Sequence, residues 1–157
     1  MEQSITLLMS ADHQLLDELW HQCLEGIEHF DVQRVRDRFN RLAHAWQRHM
    51  RVEEEIFFAA YSEHERSGAA ALIADARAEH REIAAMLERL SPLMTARDHS
   101  TMTVIVASQP CSPTTVFQSH QVKEQDVLYP MMDRAIAHDE KLKLLEQAHE
   151  RLALERS

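Results

Sequence analysis

The sequence is poor in the residues that make tight turns, with two glycines and four prolines among its 157 residues. Few turns leave room for few, long elements, which favours helices over many short strands. No apolar run approaches the roughly 20 residues that a membrane-spanning helix needs. The first residues also lack the basic and apolar regions of a signal peptide. We therefore expect a cytoplasmic protein with no membrane partner.

Cysteine and positive charge are also scarce. The two cysteines, Cys23 and Cys111, lie far apart and form no metal-binding pair, so we interpret them as reduced thiols in or near the core. Lys and Arg number 17 against 26 Asp and Glu, which gives a net charge of −9. Such a charge disfavours nucleic acid and anionic membranes as main partners. The length suits a single domain over residues 1–157.

Apolar residues recur at helical spacing in five segments, at about 10–30, 31–61, 68–90, 112–137 and 139–156. Ser10, Asp31 and Ser112 are the expected N-caps of the first, second and fourth helices. Ser91-Pro92 is expected to end the third helix, and Tyr129-Pro130 to bend or end the fourth. These segments predict an all-α bundle over about residues 10–137, followed by an extra C-terminal helix.

Residues 99–122 contain no Asp, Glu, Lys or Arg, in a chain of which 27% is charged. Within this segment, residues 101–106 are mostly β-branched. A strand-like flap, a partner contact and a shifted reading frame all stay open as explanations. We assign the segment no chemical role.

Histidine is unusually abundant, with eleven residues, and some of these histidines occur at regular spacings from a glutamate or an apolar stripe. Two His-x-x-x-Glu pairs precede apolar stretches, one in RHMRVEEEIFF and the other in SHQVKEQDVLYP. Residues four apart share a helix face, although a single such pair is more typical of an exposed ion pair. The first and third helices each add one histidine beside an apolar stripe. The six residues are His13, His49, Glu53, His80, His120 and Glu124.

The depth of these histidines can be compared, because a helix rises about 1.5 Å per residue. His13 lies roughly 26 Å before the first turn, and His49 roughly 27 Å after it. His49 and His80 lie roughly 18–20 Å and 18 Å from the second turn. The match of His120 with His80 is looser, at roughly 10 Å against 15 Å. In an up-down-up-down four-helix bundle, the four histidines therefore lie at about one level.

Four imidazoles and two carboxylates inside a bundle would be costly to bury without a partner. A metal ion removes that cost, and imidazole together with carboxylate suits iron, manganese or zinc. Two carboxylates can bridge two metal ions while four imidazoles serve as terminal ligands. The pattern therefore predicts a dinuclear metal centre.

This ordered set of six residues resembles the hemerythrin-like (HHE cation-binding) family over about residues 8–135. The resemblance implies a hemerythrin-like four-helix bundle around a non-haem di-iron centre with two iron ions. It also implies that the two glutamates bridge the irons. By the same resemblance, His13 and His49 would hold one iron, and His80 and His120 the other.

One expected ligand is missing from the third helix. Oxygen-carrying members of the family offer two histidines four apart there, but this sequence has Ala76 four before His80 and Ala84 four after it. The resemblance is therefore closer to four-histidine members, which are associated with oxygen or iron sensing. The absent ligand leaves an additional open or water-filled position.

Other candidates are interpreted as structural. Glu54 could be an auxiliary ligand, but we expect a solvated charge, and the pairs Glu18…His21 and Glu146…His149 point away from the site or lie in the last helix. The other histidines, at positions 21, 29, 44, 64, 99, 138 and 149, are expected to be surface or structural residues. The expected core and pocket walls, which would keep water from bound dioxygen, include Trp20, Trp46, Phe57 and Phe58.

The leading hypothesis is a binding protein that takes up dioxygen or another small diatomic ligand, or that responds to oxygen or iron. The alternative is a di-iron enzyme that acts on peroxide or nitric oxide, or that donates iron for the repair of iron centres. A third hypothesis is a metal-stabilised helical interaction protein. Zinc or manganese instead of iron, and a protein partner or a homodimer, stay open.

Overall fold

The computed structural model describes residues 4–64, 69–94 and 112–154, and these ranges contain helices and no strand. The helices are α1 (Ile5–Glu28), α2 (Val32–Val52, Glu53–Phe57 and Phe58–His64), α3 (Ala69–Met94), α4 (Pro113–Lys123, Glu124–Leu128 and Tyr129–Ala135) and α5 (His138–Leu154). Each of α1 to α4 packs against the next and α4 returns to α1, while α5 packs against α1 and α2. This arrangement confirms the predicted all-α bundle. None of the described helices could span a bilayer.

The first helix begins earlier than predicted. Its N-cap is Ser4, whereas Ser10 lies inside the helix, so the expected cap at Ser10 is wrong. The Asp133 carboxylate of α4 accepts hydrogen bonds from the N–H groups of Ile5 and Thr6 at 2.9 and 3.0 Å. It also accepts from the Ser4 and Thr6 hydroxyls, at 2.8 and 2.7 Å. Partial burial opposes ionisation, but these bonds outweigh it and lower the pKa of Asp133.

Asp133→Ala is expected to destabilise the protein by roughly 1–3 kcal/mol, because it removes the acceptor for two N–H groups at the start of α1. Urea denaturation measures the change. The pKa of Asp133 in the folded protein lies below the ordinary value of 3.8. The carboxylate therefore stabilises the fold above about pH 4, and this stabilisation is lost as the pH falls further. Asp133→Asn, which keeps one acceptor oxygen, should lose less. Equal stability of Asp133→Ala and the wild type would contradict this role.

The predicted start of α2 is correct, whereas the predicted end of α3 is not. Asp31 caps α2 as predicted, by accepting a hydrogen bond from the N–H of Arg34 at 3.0 Å. The expected end of α3 at Ser91-Pro92 is wrong, because α3 continues to Met94 with the proline in its last turn. Pro92 cannot donate a backbone hydrogen bond. Burial of Leu90 and Met94, which are 6% and 0% exposed, offsets that loss.

The fourth helix begins as predicted, with Ser112 as its N-cap and Pro113 in its first turn. It passes Tyr129-Pro130 and ends at Ala135 rather than at the proline. The predicted flap at residues 101–106 lies outside the described residues, while the end of the uncharged segment forms the start of α4. The described part of α5 buries Leu145, Ala148 and Leu152.

Two of the described helices contain a π turn, at Glu53–Phe57 in α2 and at Glu124–Leu128 in α4. In each, the glutamate that begins the turn accepts a backbone hydrogen bond from the residue five positions later, which is Phe58 or Tyr129. A π turn holds one more residue than an α turn and is frequent at functional sites. It therefore brings the glutamate and the aromatic residue to the same side of the helix.

The apolar core forms two clusters, one at each end of the bundle. One contains Met9, Val52, Phe57 and Leu145, and the other contains Leu16, Trp20, Cys23, Trp46, Ile83 and Phe117. Cys23 is a free thiol whose burial raises its pKa to about 12, in agreement with the expected core thiol, while Cys111 lies outside the described residues. Along α1, His13 stands between Met9 and Leu16, and along α2, His49 stands between Trp46 and Val52. A polar layer thus separates the two clusters.

Candidate metal centre

The polar layer contains all six residues that the sequence singles out. They come from four helices, and none is more than 3% exposed. They are His13 on α1, His49 and Glu53 on α2, His80 on α3, and His120 and Glu124 on α4. The structure therefore brings them together, while their role as metal ligands stays a prediction.

Glu124 lies between two pairs of histidines. Its Oε2 is 3.3 Å from Nε2 of His13, and its Oε1 is 3.2 Å from Nε2 of His120 and 3.6 Å from Nε2 of His80. One carboxylate oxygen thus faces each pair. This is the arrangement that a carboxylate bridging two metal ions requires.

Glu53 has a similar intermediate position. Its Oε2 is 3.3 Å from Nε2 of His49 and 3.1 Å from Nε2 of His80, which belong to different pairs. The Nε2 atoms of His13 and His49 are 3.1 Å apart. Adjacent donors at right angles on one metal ion, each bonded at about 2.1 Å, are about 3.0 Å apart. The observed spacings are thus close to those of donors around metal ions.

Among the described residues, two overlapping groups of donor atoms lie close enough together to hold a metal ion. One is Glu53, His80, His120 and Glu124, and the other is His13, His49 and Glu124. Every member of the first group has a buried atom without a hydrogen-bond partner, namely Glu53 Oε2, His80 Nε2, His120 Nε2 and Glu124 Oε1. Buried polar atoms are normally paired. A bound cation accounts for all four atoms, so the residues fit a metal.

A further side chain contacts the Nδ1 atom of each of the four histidines. We call Asp12, Glu54, Glu79 and Gln125 the outer ring. Their contacts to Nδ1 are Asp12 with His49 (3.0 Å), Glu54 with His80 (2.6 Å), Glu79 with His120 (2.8 Å) and Gln125 with His13 (2.9 Å). Each helix thus supports the histidine of the next helix around the bundle. Such contacts orient a ligating imidazole with Nε2 towards the metal.

Sequence reasoning missed the outer ring, although a signal was present. Each member directly neighbours a predicted ligand in the chain, as Asp12 neighbours His13 and Glu79 neighbours His80. Glu54, which we expected to be a solvated charge, is partly exposed and also accepts a hydrogen bond from His80. Which histidine each member reaches depends on how the helices pack, and the sequence does not show that.

Burial and the neighbouring carboxylates shift the pKa values of three histidines in the polar layer. Burial alone would lower the pKa of His49, but the Glu53 carboxylate and other acidic partners raise it to about 10. His80 behaves in the same way, with Glu124 as its main partner. Burial lowers the pKa of His13, whose outer partner is an uncharged amide. Metal ions would displace the protons of His49 and His80, so metal affinity should rise with pH.

Aromatic rings surround the polar layer, as predicted for Trp46 and Phe58. The Trp46 ring lies edge-on to His49, with centroids 5.6 Å apart, and tilted against His120 at 5.9 Å. Phe58 stacks on His80 with centroids 5.8 Å apart and an interplanar angle of 11°. These rings fix the imidazoles and exclude water from them.

Tyr129 is a further residue of the site that sequence reasoning missed. Its hydroxyl donates to Glu53 Oε1 at 2.5 Å and lies 3.0 Å from Glu124 Oε2. The same oxygen is 3.2 Å from Nε2 of His13. The signal was a repeat, since Phe58 and Tyr129 each follow a glutamate of the site by five positions.

Ala76, at the position of the missing histidine, lines a cavity of about 470 Å³ between α3 and α4. Glu124 also lines this cavity, together with the apolar side chains of Leu72, Val127 and Leu128. Glu79 and Lys123 form an ion pair at its edge. The cavity therefore connects the space beside Ala76 with one of the two central glutamates.

The histidines outside the pattern lie on the surface where their side chains are described. His21, His29, His44, His138 and His149 are exposed, whereas the side chains of His64 and His99 fall outside the described part. Glu18 and Glu146 are exposed as well. The two Glu-x-x-His pairs are thus not part of the polar layer.

The fold and the site together define a helical-bundle protein with a cation-binding site. The family model of the hemerythrin HHE cation-binding domain matches residues 4–107, which is well over half of the chain. The chain belongs to this family, as the sequence resemblance indicated. Comparisons with curated proteins and with solved structures gave no significant match. The matched region ends before α4, and the structure places His120, Glu124 and Tyr129 of that helix in the same site.

Proposed function

We propose that this protein is a non-haem di-iron protein that binds dioxygen, or responds to oxygen or iron, at an open metal position. The observation that carries the proposal is the set of four buried, unpartnered donor atoms in Glu53, His80, His120 and Glu124. The second group of donors shares Glu124 with the first, which supports two neighbouring metal ions. Bound iron would supply the electron exchange with dioxygen that side chains alone do not.

Iron suits these donors better than zinc. Structural zinc is almost always four-coordinate, whereas two ions bridged by carboxylates and held by imidazoles are typical of iron or manganese. The side chains themselves hold and orient the metals through Nε2 atoms fixed by the outer ring. The two apolar clusters keep the layer dry.

A small ligand has a route to the centre. Ala76 leaves the third helix with a single central histidine, and the adjacent cavity of about 470 Å³ reaches Glu124. Part of its lining is apolar, namely Leu72, Val127 and Leu128, and this part suits an uncharged ligand such as dioxygen. The space beside Ala76 is therefore the proposed approach to the open position.

A second candidate is an enzyme that consumes peroxide. The cavity volume of about 470 Å³ is many times the roughly 30 Å³ that one water molecule occupies in the liquid. It therefore has room for a peroxide and for water molecules that carry protons. Titratable side chains that could exchange protons with a peroxide, including Glu79, Glu82 and Lys123, line the same cavity, and this favours peroxide as a substrate.

One experiment separates these functions. The protein is loaded with ferrous iron without oxygen, its metals are counted, and its visible spectrum is followed during exposure to air and again after oxygen is removed. Two irons with a reversible colour change support ligand binding. Catalytic loss of added peroxide supports the enzyme. A colourless protein that binds zinc and does not bind iron would overturn both proposed functions.

Ala76→His tests the approach beside α3. The added imidazole would stand one helical turn before His80 and fill part of the cavity, so reaction of the iron-loaded protein with dioxygen or peroxide should slow by roughly tenfold or more. Stopped-flow spectroscopy measures the rate. Ala84→His is the comparison variant, because Ala84 lies one turn after His80 and lines a different cavity, which reaches His80 from the side of Glu54. A slower reaction in Ala84→His alone would place the ligand route in that second cavity. Equal rates in both variants would place the ligand route elsewhere.

A further inference from the structure

We propose that Tyr129 is a seventh metal ligand, whose phenolate oxygen binds the ion held by His13, His49 and Glu124. The inference rests on the proposed metal centre and deepens it. Tyr129 is 0% exposed, and its hydroxyl points into the polar layer. It would give the second group of donors a fourth member, so that both groups would have four.

The spacing of the hydroxyl supports a ligand role. Its oxygen is 3.2 Å from Nε2 of His13 and 3.0 Å from Oε2 of Glu124, which both belong to the second group. Two donors at right angles on one metal ion, each bonded at about 2.1 Å, are about 3.0 Å apart. The hydroxyl thus stands where an additional donor of the same ion would stand.

The Tyr129 hydroxyl faces two carboxylate acceptors, Glu53 Oε1 and Glu124 Oε2, although it has one proton to donate. A tyrosine hydroxyl has one proton, and that proton can be donated fully to one acceptor. The hydroxyl meets Glu53 Oε1 at 2.5 Å and also Glu124 Oε2 and His13 Nε2. When a cation binds, the hydroxyl proton would pass to solvent and the oxygen would donate to the metal. The same exchange applies to any ligand that must lose a proton.

The chain contains an internal comparison. Glu53 and Glu124 each begin a π turn, and Phe58 and Tyr129 follow them at the same distance. Phe58 packs on His80, and Tyr129 packs on His13 with ring centroids 5.7 Å apart. A phenyl ring therefore serves the packing role at the related position. The hydroxyl of Tyr129 is the added feature, and it makes the two metal positions chemically different.

The test is spectroscopic and uses the full chain loaded with ferric iron. A phenolate bound to ferric iron gives a visible charge-transfer band, with resonance Raman modes of the tyrosine ring. The chain has two tyrosines, so Tyr61→Phe leaves Tyr129 as the one possible source. We expect the band in the wild type and in Tyr61→Phe, and its complete loss in Tyr129→Phe. Binding of one of the two irons should weaken about 10- to 100-fold in Tyr129→Phe.

The outcomes separate this inference from the proposed function. Two irons in Tyr61→Phe without tyrosine ring modes would overturn the ligand role and leave the di-iron proposal standing. A wild type that binds no iron would overturn both. The measurement on Tyr61→Phe decides the question even where Tyr129→Phe does not fold, and circular dichroism shows whether it does. An unchanged band in folded Tyr129→Phe would also overturn the ligand role.

Discussion

Glu124→Ala should remove both metal ions, whereas His13→Ala should remove one. Glu124 belongs to both groups of donor atoms, and its two oxygens face opposite pairs of histidines. His13 belongs to the second group alone. We therefore expect almost no metal in Glu124→Ala and about half the wild-type content in His13→Ala or His120→Ala. Glu53→Ala should also lose most of its metal, because Glu53 lies between His49 and His80.

Elemental analysis after dialysis measures the metal content, and circular dichroism checks that each variant is folded. Glu55→Ala is the matched control, because Glu55 lies in the same π turn as Glu53 but is exposed and paired with Arg151. It should keep the full metal content. Full occupancy in folded Glu124→Ala would overturn the ligand assignment.

Asp12→Asn should destabilise the metal-free protein by about 3–5 kcal/mol, because it removes one partner of a buried ion pair. Asp12 is 1% exposed, and its two oxygens lie 3.4 Å from the Arg48 guanidinium and 3.0 Å from His49 Nδ1. Neutral asparagine leaves both groups buried without that charge. For a chain of this length the melting temperature should fall by roughly 6–20 °C.

The pH dependence of Asp12→Asn has a definite sign. The folded pKa of His49, about 10, lies above the ordinary value of 6.5. Its share of the stability is therefore complete below about pH 6.5 and is lost as the pH rises towards 10. The difference in stability between wild type and Asp12→Asn should therefore shrink between pH 6.5 and about pH 10. The part of the difference that comes from the Arg48 ion pair should persist over this range. Thermal denaturation between pH 6 and pH 10 tests this sign.

Two controls separate lost charge from lost packing. Asp17→Asn makes the same change at an exposed position of α1 and should leave stability almost unchanged. Arg48→Met in the Asp12→Asn background removes one unpaired cation and should restore part of the stability. A double variant that is no more stable than Asp12→Asn would argue against the ion pair as the cause.

Local signals in the sequence were sufficient for the fold class and for the residues that meet at the centre. Asp31 and Ser112 are N-caps because a short polar side chain binds N–H groups within its own first turn. The pair His49 and Glu53 shares a helix face for an equally local reason. Helix length then sets the depth of each histidine, so one level could be predicted before packing was known.

The ends of helices and the surroundings of the site required the tertiary structure. Asp133 accepts hydrogen bonds from the start of α1 although it lies 128 residues further along the chain. Burial of Met94 stabilises the last turn of α3, which contains Pro92. The outer ring likewise depends on which helix lies beside which. Side chains distant in sequence determine these features, and their pairing exists only after the helices pack.

The sequence by itself determined an all-α chain with four histidines at about one level of the bundle, two of them paired with a glutamate on the same helix face. The tertiary structure decided which outer-ring residue contacts each histidine, and that Tyr129 enters the layer. The π turns are the physical reason for the second point. One extra residue in a turn changes which side chains follow the glutamate on the inner face, and regular helical spacing does not predict that change.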